Sequence, residues 1–212
     1  MNRIFLIASG PSLEGFDFHK LDDQITLGIN YIFRYYVPTI LLWGDYRVYQ
    51  ENGHKEVIDK LDCIKVTKEG NMDQGSDVYL VRACNKFHGL DGLKKGLFPD
   101  MLTGQLAIAL AIALRFNPIY LLGYDCGFRD GKTHFYQDFK HKGTDLRMES
   151  VYAGKDNIGL YNTFKDIDYI YNCTPDSNLK LFPYVPIDEV LSEKYQIDKE
   201  YIKSQVRQAL GG

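Results

Sequence analysis

Ile4-Phe5-Leu6-Ile7-Ala8-Ser9-Gly10-Pro11-Ser12 opens the chain with an apolar run that stops at a small, rigid turn. A run that is apolar at every position, not at every second one, suits a strand covered on both faces of a parallel sheet. The turn after it brings backbone N–H groups to the carboxyl edge of the sheet, where open α/β sheets bind nucleotides and phosphates. Pro11 stiffens that turn, and Ser9 and Ser12 offer hydroxyls to a phosphate or ribose. The spacing is not the dinucleotide G-x-G-x-x-G pattern, and no Gly-Lys-Ser/Thr follows to make a P-loop. An ordinary strand-to-helix turn carries the same residues, so the reading depends on whether the pattern recurs.

It does recur. With Arg3–Ser9 as the first, strands are expected at Gln24–Ile29, Thr39–Trp43, Cys63–Val66, Asp77–Val81, Pro118–Leu122 and Tyr169–Asn172. The clearest helix, Gly104–Phe116, alternates Ala with larger apolar residues and is apolar nearly all round, as a core helix is. Thr103 is a natural N-cap for it, and Asn117-Pro118 stops it. The charged tail Asp188–Leu210 reads as one or two further helices. Gly123–Lys165 is polar and irregular, the character of a lid over an active site. The expected architecture is one α/β domain over residues 1–212. It is Rossmann-like and mostly parallel, with helices on both faces and a lid-like insertion at about 126–165.

Composition narrows the function classes. A hydrophobic fraction of 45% and an aromatic fraction of 14% describe a folded chain with a sizeable core, not a disordered one. A net charge of −3 argues against a protein that coats DNA, although nucleic acid stays open as an acceptor of a transferred group. The four cysteines, Cys63, Cys84, Cys126 and Cys173, form no C-x-x-C pair, so neither zinc nor a disulfide framework is implied. Reduced thiols and a cytoplasmic location are expected. The longest apolar stretch, Leu106–Leu114, is too short to cross a bilayer. Self-association is left open.

Polar clusters follow the strands, and a parallel sheet gathers them on one rim. They are Ser9-Gly10-Pro11-Ser12, Asn30, Gly44-Asp45, Gly123-Tyr124-Asp125 and Asn172-Cys173-Thr174-Pro175. Thr103-Gly104-Gln105 adds a helix N-terminus, which favours anions. Asp45 and Asp125, at strand ends, suit a ribose hydroxyl or Mg²⁺. Lys132-Thr133-His134 combines a cation, a hydroxyl and an imidazole, a set for phosphate handling and acid–base work. His141 is the second candidate base. His19, His54 and His88 read as solvated.

These residues resemble two related groups. Ile-Ala-Ser-Gly-Pro-Ser-Leu, Gly28-Ile-Asn30, Thr103-Gly104 opening an Ala-rich helix, and Ile-Tyr-Leu-Leu-Gly-Tyr-Asp125 are similar to the bacterial lipooligosaccharide sialyltransferases of glycosyltransferase family 42. Asp130-Gly-Lys-Thr-His134 resembles the domain of the archaeal 6-hydroxymethylpterin diphosphokinases and flagellin-glycosylation proteins. The sialyltransferase resemblance implies that Ser9, Gly10, Pro11, Ser12, Asn30, Thr103 and Gly104 hold the CMP part of a donor. It also implies that Tyr124 and Tyr136 contact the departing phosphate. The chain departs from that family in having no histidine between Lys142 and Asn172, where the family's base lies. The diphosphokinase resemblance implies ATP, with Mg²⁺ near Asp45 and Asp125.

The expected function is a transferase acting on a nucleotide-sugar donor and an unidentified acceptor, sialyltransferase-like, with no certain cofactor. His134 is the base, and Lys132, Tyr124 and Tyr136 steady the departing phosphate. The donor lies across Ser9–Ser12, Asn30, Asp45, Thr103, Gly104, Gln105, Gly123, Asp125, Asn172 and Thr174. The alternatives are an ATP- and Mg-dependent phosphotransferase and a nucleotide-binding module without catalysis.

Overall fold

The computed structural model describes residues 2–51, 53–70, 77–82, 84, 86–97, 102–136, 156–192 and 198–211. Its strands are β1 (Ile4–Ile7), β2 (Thr26–Ile29), β3 (Ile40–Trp43), β4 (Ile64–Lys68), β5 (Val78–Val81), β6 (Ile119–Leu122) and β7 (Ile170–Asn172). All seven fall where the apolar runs place them, with β4 extending two residues further, to Lys68. Its α-helices are α1 (Arg47–Gln50), α2 (His54–Lys60), α3 (Gly92–Lys95), α4 (Thr103–Ala113), α5 (Asp156–Gly159), α6 (Ile187–Ser192) and α7 (Lys199–Gly211).

The strands form one sheet in the order β5-β4-β3-β2-β1-β6-β7, and every neighbouring pair is parallel. Helices flank it on both faces, which explains why the strands are apolar throughout. Ile4 and Leu6 of β1 belong with α4 to one core, which continues along the same face to Ile202 and Val206 of α7, a helix that lies against β5. Phe5 and Ile7 pack with Leu13, Ile32, Val48 and Ile58 on the other face. Period-two geometry sends alternate residues to opposite faces, so both registers must be apolar.

α4 is buried over its whole circumference, from Gly104 to Ala113. It begins one residue earlier than expected. Leu102 stands at the N-cap with no side-chain cap, and Thr103 lies inside the first turn. The Thr103 hydroxyl is turned toward the β3 end, where a Cβ on Gly44 would lie 2.7 Å from it. The helix ends through Arg115 in the left-handed region (φ +64°), with Phe116 N–H donating back to the Ala111 carbonyl.

The chain starts at the sheet's centre, runs outward to β5, and returns to place β6 on the other side of β1. The order therefore reverses between β1 and β6, and open α/β sheets bind ligands at the carboxyl ends near such a point. Among the described residues no helix is long and apolar enough to cross a membrane. The central part of the expected lid, 137–155 with His141, lies outside the described residues.

Candidate functional site

The crevice between β1 and β6 is closed by direct contacts. Gly10 N–H donates to the Gly123 carbonyl at 2.9 Å. Ser12 donates twice to Asp125, from its N–H at 3.0 Å and its hydroxyl at 2.6 Å. A Cβ on Gly10 would lie 1.9 Å from Asp125 Oδ2 and 2.4 Å from the Gly123 oxygen. Gly10 is thus required by this close approach, and its N–H is already used within the protein. Burial holds the Asp125 carboxyl above its usual range, against the opposing pull of Ser12 and Arg129. Ser12, Asp125 and Gly123, expected to meet a donor, are thus joined to one another and to Gly10 across the crevice.

The segment after β6 folds back over β1. Phe135 N–H donates to the Ser9 carbonyl at 3.1 Å, and Lys132 Nζ pairs with Glu14 at 2.7 Å. Lys132 is therefore engaged with a carboxylate of the β1 loop, where a phosphate contact had been expected. His134 is half-buried, with Nδ1 2.8 Å from the Thr133 hydroxyl and its ring 5.3 Å from that of Tyr136. Tyr136 stacks on the half-exposed Tyr35 and meets Tyr31 edge-on. His54, expected in solvent, is half-buried and meets Tyr31 and Phe33 edge-on. Tyr31 donates to Glu51 at 3.0 Å, and burial raises its phenol well above the ordinary value. Glu14, Tyr31 and Glu51 gave no signal in the sequence, because only the fold brings their partners near.

The ends of β2 and β3 and the start of α4 make a second corner. Asn30 adopts a left-handed backbone (φ +50°), and its buried Oδ1 has no hydrogen-bond partner among the described residues. Gln105 is fully buried, and among the described residues neither of its amide atoms nor Trp43 Nε1 has a hydrogen-bond partner. Asp45, two residues before α1, accepts from the Arg47 backbone N–H and holds its guanidinium through both oxygens. Tyr124 lies beneath α4, not on the rim. It is buried, its hydroxyl donates to the Gly104 carbonyl at 3.1 Å, and burial raises its phenol strongly.

Asn172 and Thr174 are also turned inward. The Asn172 amide joins Leu179 O and Thr174 N, and the Thr174 hydroxyl accepts from Tyr124 N–H. Ser177 completes this support by donating to the Tyr124 carbonyl. Both residues therefore shape the loop after β7, beside a cavity of about 450 Å³, where donor contacts had been expected.

Asp45 and Asp125 do not fit a shared cation. β3 and β6 are three strand spacings apart in the sheet order, about 14 Å, and each carboxylate already has protein donors. Among the described residues no group of three or more His, Cys, Asp or Glu is placed to hold a metal.

No protein-family model matches the chain, and no curated protein matches it. Solved structures do. The sialyltransferase CstII from Campylobacter jejuni, in complex with the substrate analogue CMP-3FNeuAc, is 18% identical with a TM-score of 0.55. The match covers 92% of this chain and 89% of that one. A variant of the same enzyme bound to CMP is also 18% identical, with a TM-score of 0.54, over 90% of this chain and 88% of that one. The MAf glycosyltransferase from Magnetospirillum magneticum AMB-1 is 16% identical with a TM-score of 0.55, over 98% of this chain. The match spans only 37% of that longer chain. At these identities the likeness establishes a shared fold, the one the sialyltransferase resemblance implied.

Proposed function

We propose that this chain is a glycosyltransferase that takes its sugar from a nucleotide-activated donor. The nucleotide lies over the ends of β1, β2 and β3 and against the first turn of α4. Asn30 carries the reading. It stands at a strand end in a backbone region that non-glycine residues seldom occupy, and its buried acceptor is unmet. An unsatisfied buried acceptor at the carboxyl end of a strand suits a position kept for a ligand. The shared fold supports the same reading, and the CMP-3FNeuAc and CMP held by two solved structures of one similar enzyme make a CMP-sugar the first donor to test.

The chemistry is positioning plus charge stabilisation. In the first turn of α4 the Gln105 and Leu106 N–H groups donate to the Leu102 carbonyl, which leaves those of Thr103 and Gly104, with the helix dipole, for the departing phosphate. Tyr136 remains beside the site for the same purpose, whereas Lys132 must first leave Glu14. When His134 Nδ1–H donates to the Thr133 hydroxyl, Nε2 keeps its lone pair and takes the proton from the acceptor hydroxyl.

A nucleotide-binding module without catalysis has one observation in its favour, that Asp45 and Asp125 are both tied up within the protein. A panel of nucleotides and nucleotide sugars, each with and without EDTA, separates the readings. A ligand at 100 times its Kd adds about 2.7 kcal/mol, a rise in unfolding midpoint of about 5–11 °C for a chain of this size. Binding with sugar release in EDTA supports the transferase. Binding without turnover of any donor supports the module, and activity only with ATP and Mg²⁺ supports phosphotransfer.

A further inference from the structure

Gln105 is the third residue of α4 and is fully buried, with neither Oε1 nor Nε2 hydrogen-bonded among the described residues. A leucine would fit an apolar helix at this position without leaving a donor and an acceptor unmet. Side chains on a helix tilt toward its N-terminus, so the Gln105 carboxamide is directed back to the first turn of α4. That turn lies at the rim, with the Thr103 hydroxyl beside Gly44 after β3 and the Gly104 carbonyl on Tyr124 after β6. Asn30 Oδ1, another unmet buried atom, lies at the end of β2 on the same rim. The core in which α4 is buried is apolar and includes Ala8, Ile29, Leu42 and Leu106, at or near the same ends of β1, β2, β3 and α4. Such a place suits a flat ring with apolar faces and one polar edge. A phosphate or a polyhydroxylated sugar would bring more polar groups than it could satisfy.

We propose that Gln105 reads the base of the nucleotide donor, its adjacent N–H donor and C=O acceptor pairing with an adjacent acceptor and donor on the edge of the ring. This rests on the nucleotide-donor reading above. The amide is covered in the ligand-free chain, so pairing requires Gln105 to swing toward the groove through a rotamer change. An N-acyl group on the donor's sugar presents the same donor–acceptor pair, and the test separates the two.

Calorimetric titration of CMP, UMP, AMP, GMP and ribose 5-phosphate into wild type, Gln105→Leu and Gln105→Met provides the test. Wild type should bind at least one nucleotide better than ribose 5-phosphate. Both variants should bind that nucleotide about 10–100-fold more weakly, the worth of a paired edge, with ribose 5-phosphate affinity unchanged. Their ligand-free unfolding midpoints should hold or rise, because an unmet buried amide has been removed. A sharp fall in midpoint in both variants would mean that the amide serves the fold, and would overturn the proposal. So would wild-type nucleotide affinity in either variant, which leaves the donor reading standing. If the variants weaken UDP-N-acetylglucosamine but not UDP or UDP-glucose, Gln105 reads the sugar and the base assignment is wrong. If wild type binds none of the four nucleotides, this proposal and the donor reading fall together.

Discussion

The β1–β6 crevice and the β2–β3–α4 corner sit side by side on one rim and are built on opposite terms. In the crevice, Gly10, Ser12, Gly123 and Asp125 satisfy one another, and the backbones approach so closely that no side chain fits at Gly10. At the corner, Asn30 and Gln105 keep buried polar atoms with no partner among the described residues. Both regions carry residue types typical of binding sites. Only the second leaves unmet hydrogen-bonding capacity, and such capacity is costly to retain unless something fills it. The comparison teaches that a motif can mark the neighbourhood of a site while its own residues hold the fold.

The sharpest way to break this contrast is Gly10→Val. If Gly10 were only a ligand contact, the variant would fold and fail to bind. The crowding against Asp125 and the Gly123 carbonyl predicts instead a loss of about 3 kcal/mol or more, seen as a drop of about 6–12 °C in unfolding midpoint. Wild-type stability would mean that the crevice is looser than described.

His134 precedes Phe135, whose N–H is held by the Ser9 carbonyl, and its ring meets Tyr136 of the aromatic cluster with Tyr31 and Tyr35. With a donor and acceptor in hand, His134→Ala should lower kcat about 10²–10⁴-fold with little change in donor binding. Near-full turnover would remove it as the base, and His141→Ala would then be the variant to test.

The parallel sheet was legible because burial on both faces writes itself into strand sequence, as in Ile4–Ile7 and Ile40–Trp43. The buried helix was legible from Gln105–Leu114 for the same reason. The rim was legible too, because strand ends in a parallel sheet must converge. Less legible was which rim residues point outward. Tyr124, Asn172 and Thr174 carry polar groups after strands, yet each turns inward to a partner distant in sequence, such as Gly104 for Tyr124 and Leu179 for Asn172. Lys132 and Glu14 are 118 residues apart, a pairing that no local pattern announces. The unmet amide of Gln105 was placed correctly at the helix start, but its isolation depends on packing that only the fold supplies.

The pinned crevice also predicts a pH dependence. Burial raises the Asp125 carboxyl, so the folded chain holds that proton more tightly than the unfolded chain, whose value is about 3.9. The stability that Asp125 contributes is therefore full below about pH 3.9 and is lost as pH rises through the folded value. Asp125→Asn keeps the shape and does not titrate. In urea unfolding at a series of pH values, the stability of wild type relative to this variant should fall as pH rises. A rising difference would mean that Ser12 and Arg129 outweigh burial.

The smallest stability effect is expected at Asn30, and it is the most discriminating on the other side of the comparison. Asn30→Gly removes the unmet Oδ1 and keeps a residue that accepts φ +50° without a steric cost. The unfolded chain gains freedom, which opposes folding slightly, while an unsatisfied buried acceptor is relieved. The two changes offset, so the stability difference should stay within about 1 kcal/mol. Nucleotide affinity should fall about 3–10-fold, the worth of one or two hydrogen bonds. A crevice residue would behave in the reverse way, losing stability first and affinity only as a consequence. If Asn30→Gly costs 2 kcal/mol or more with affinity intact, Asn30 belongs with Gly10 and Asp125, and the division of this rim into a fold-holding half and a ligand-facing half is wrong.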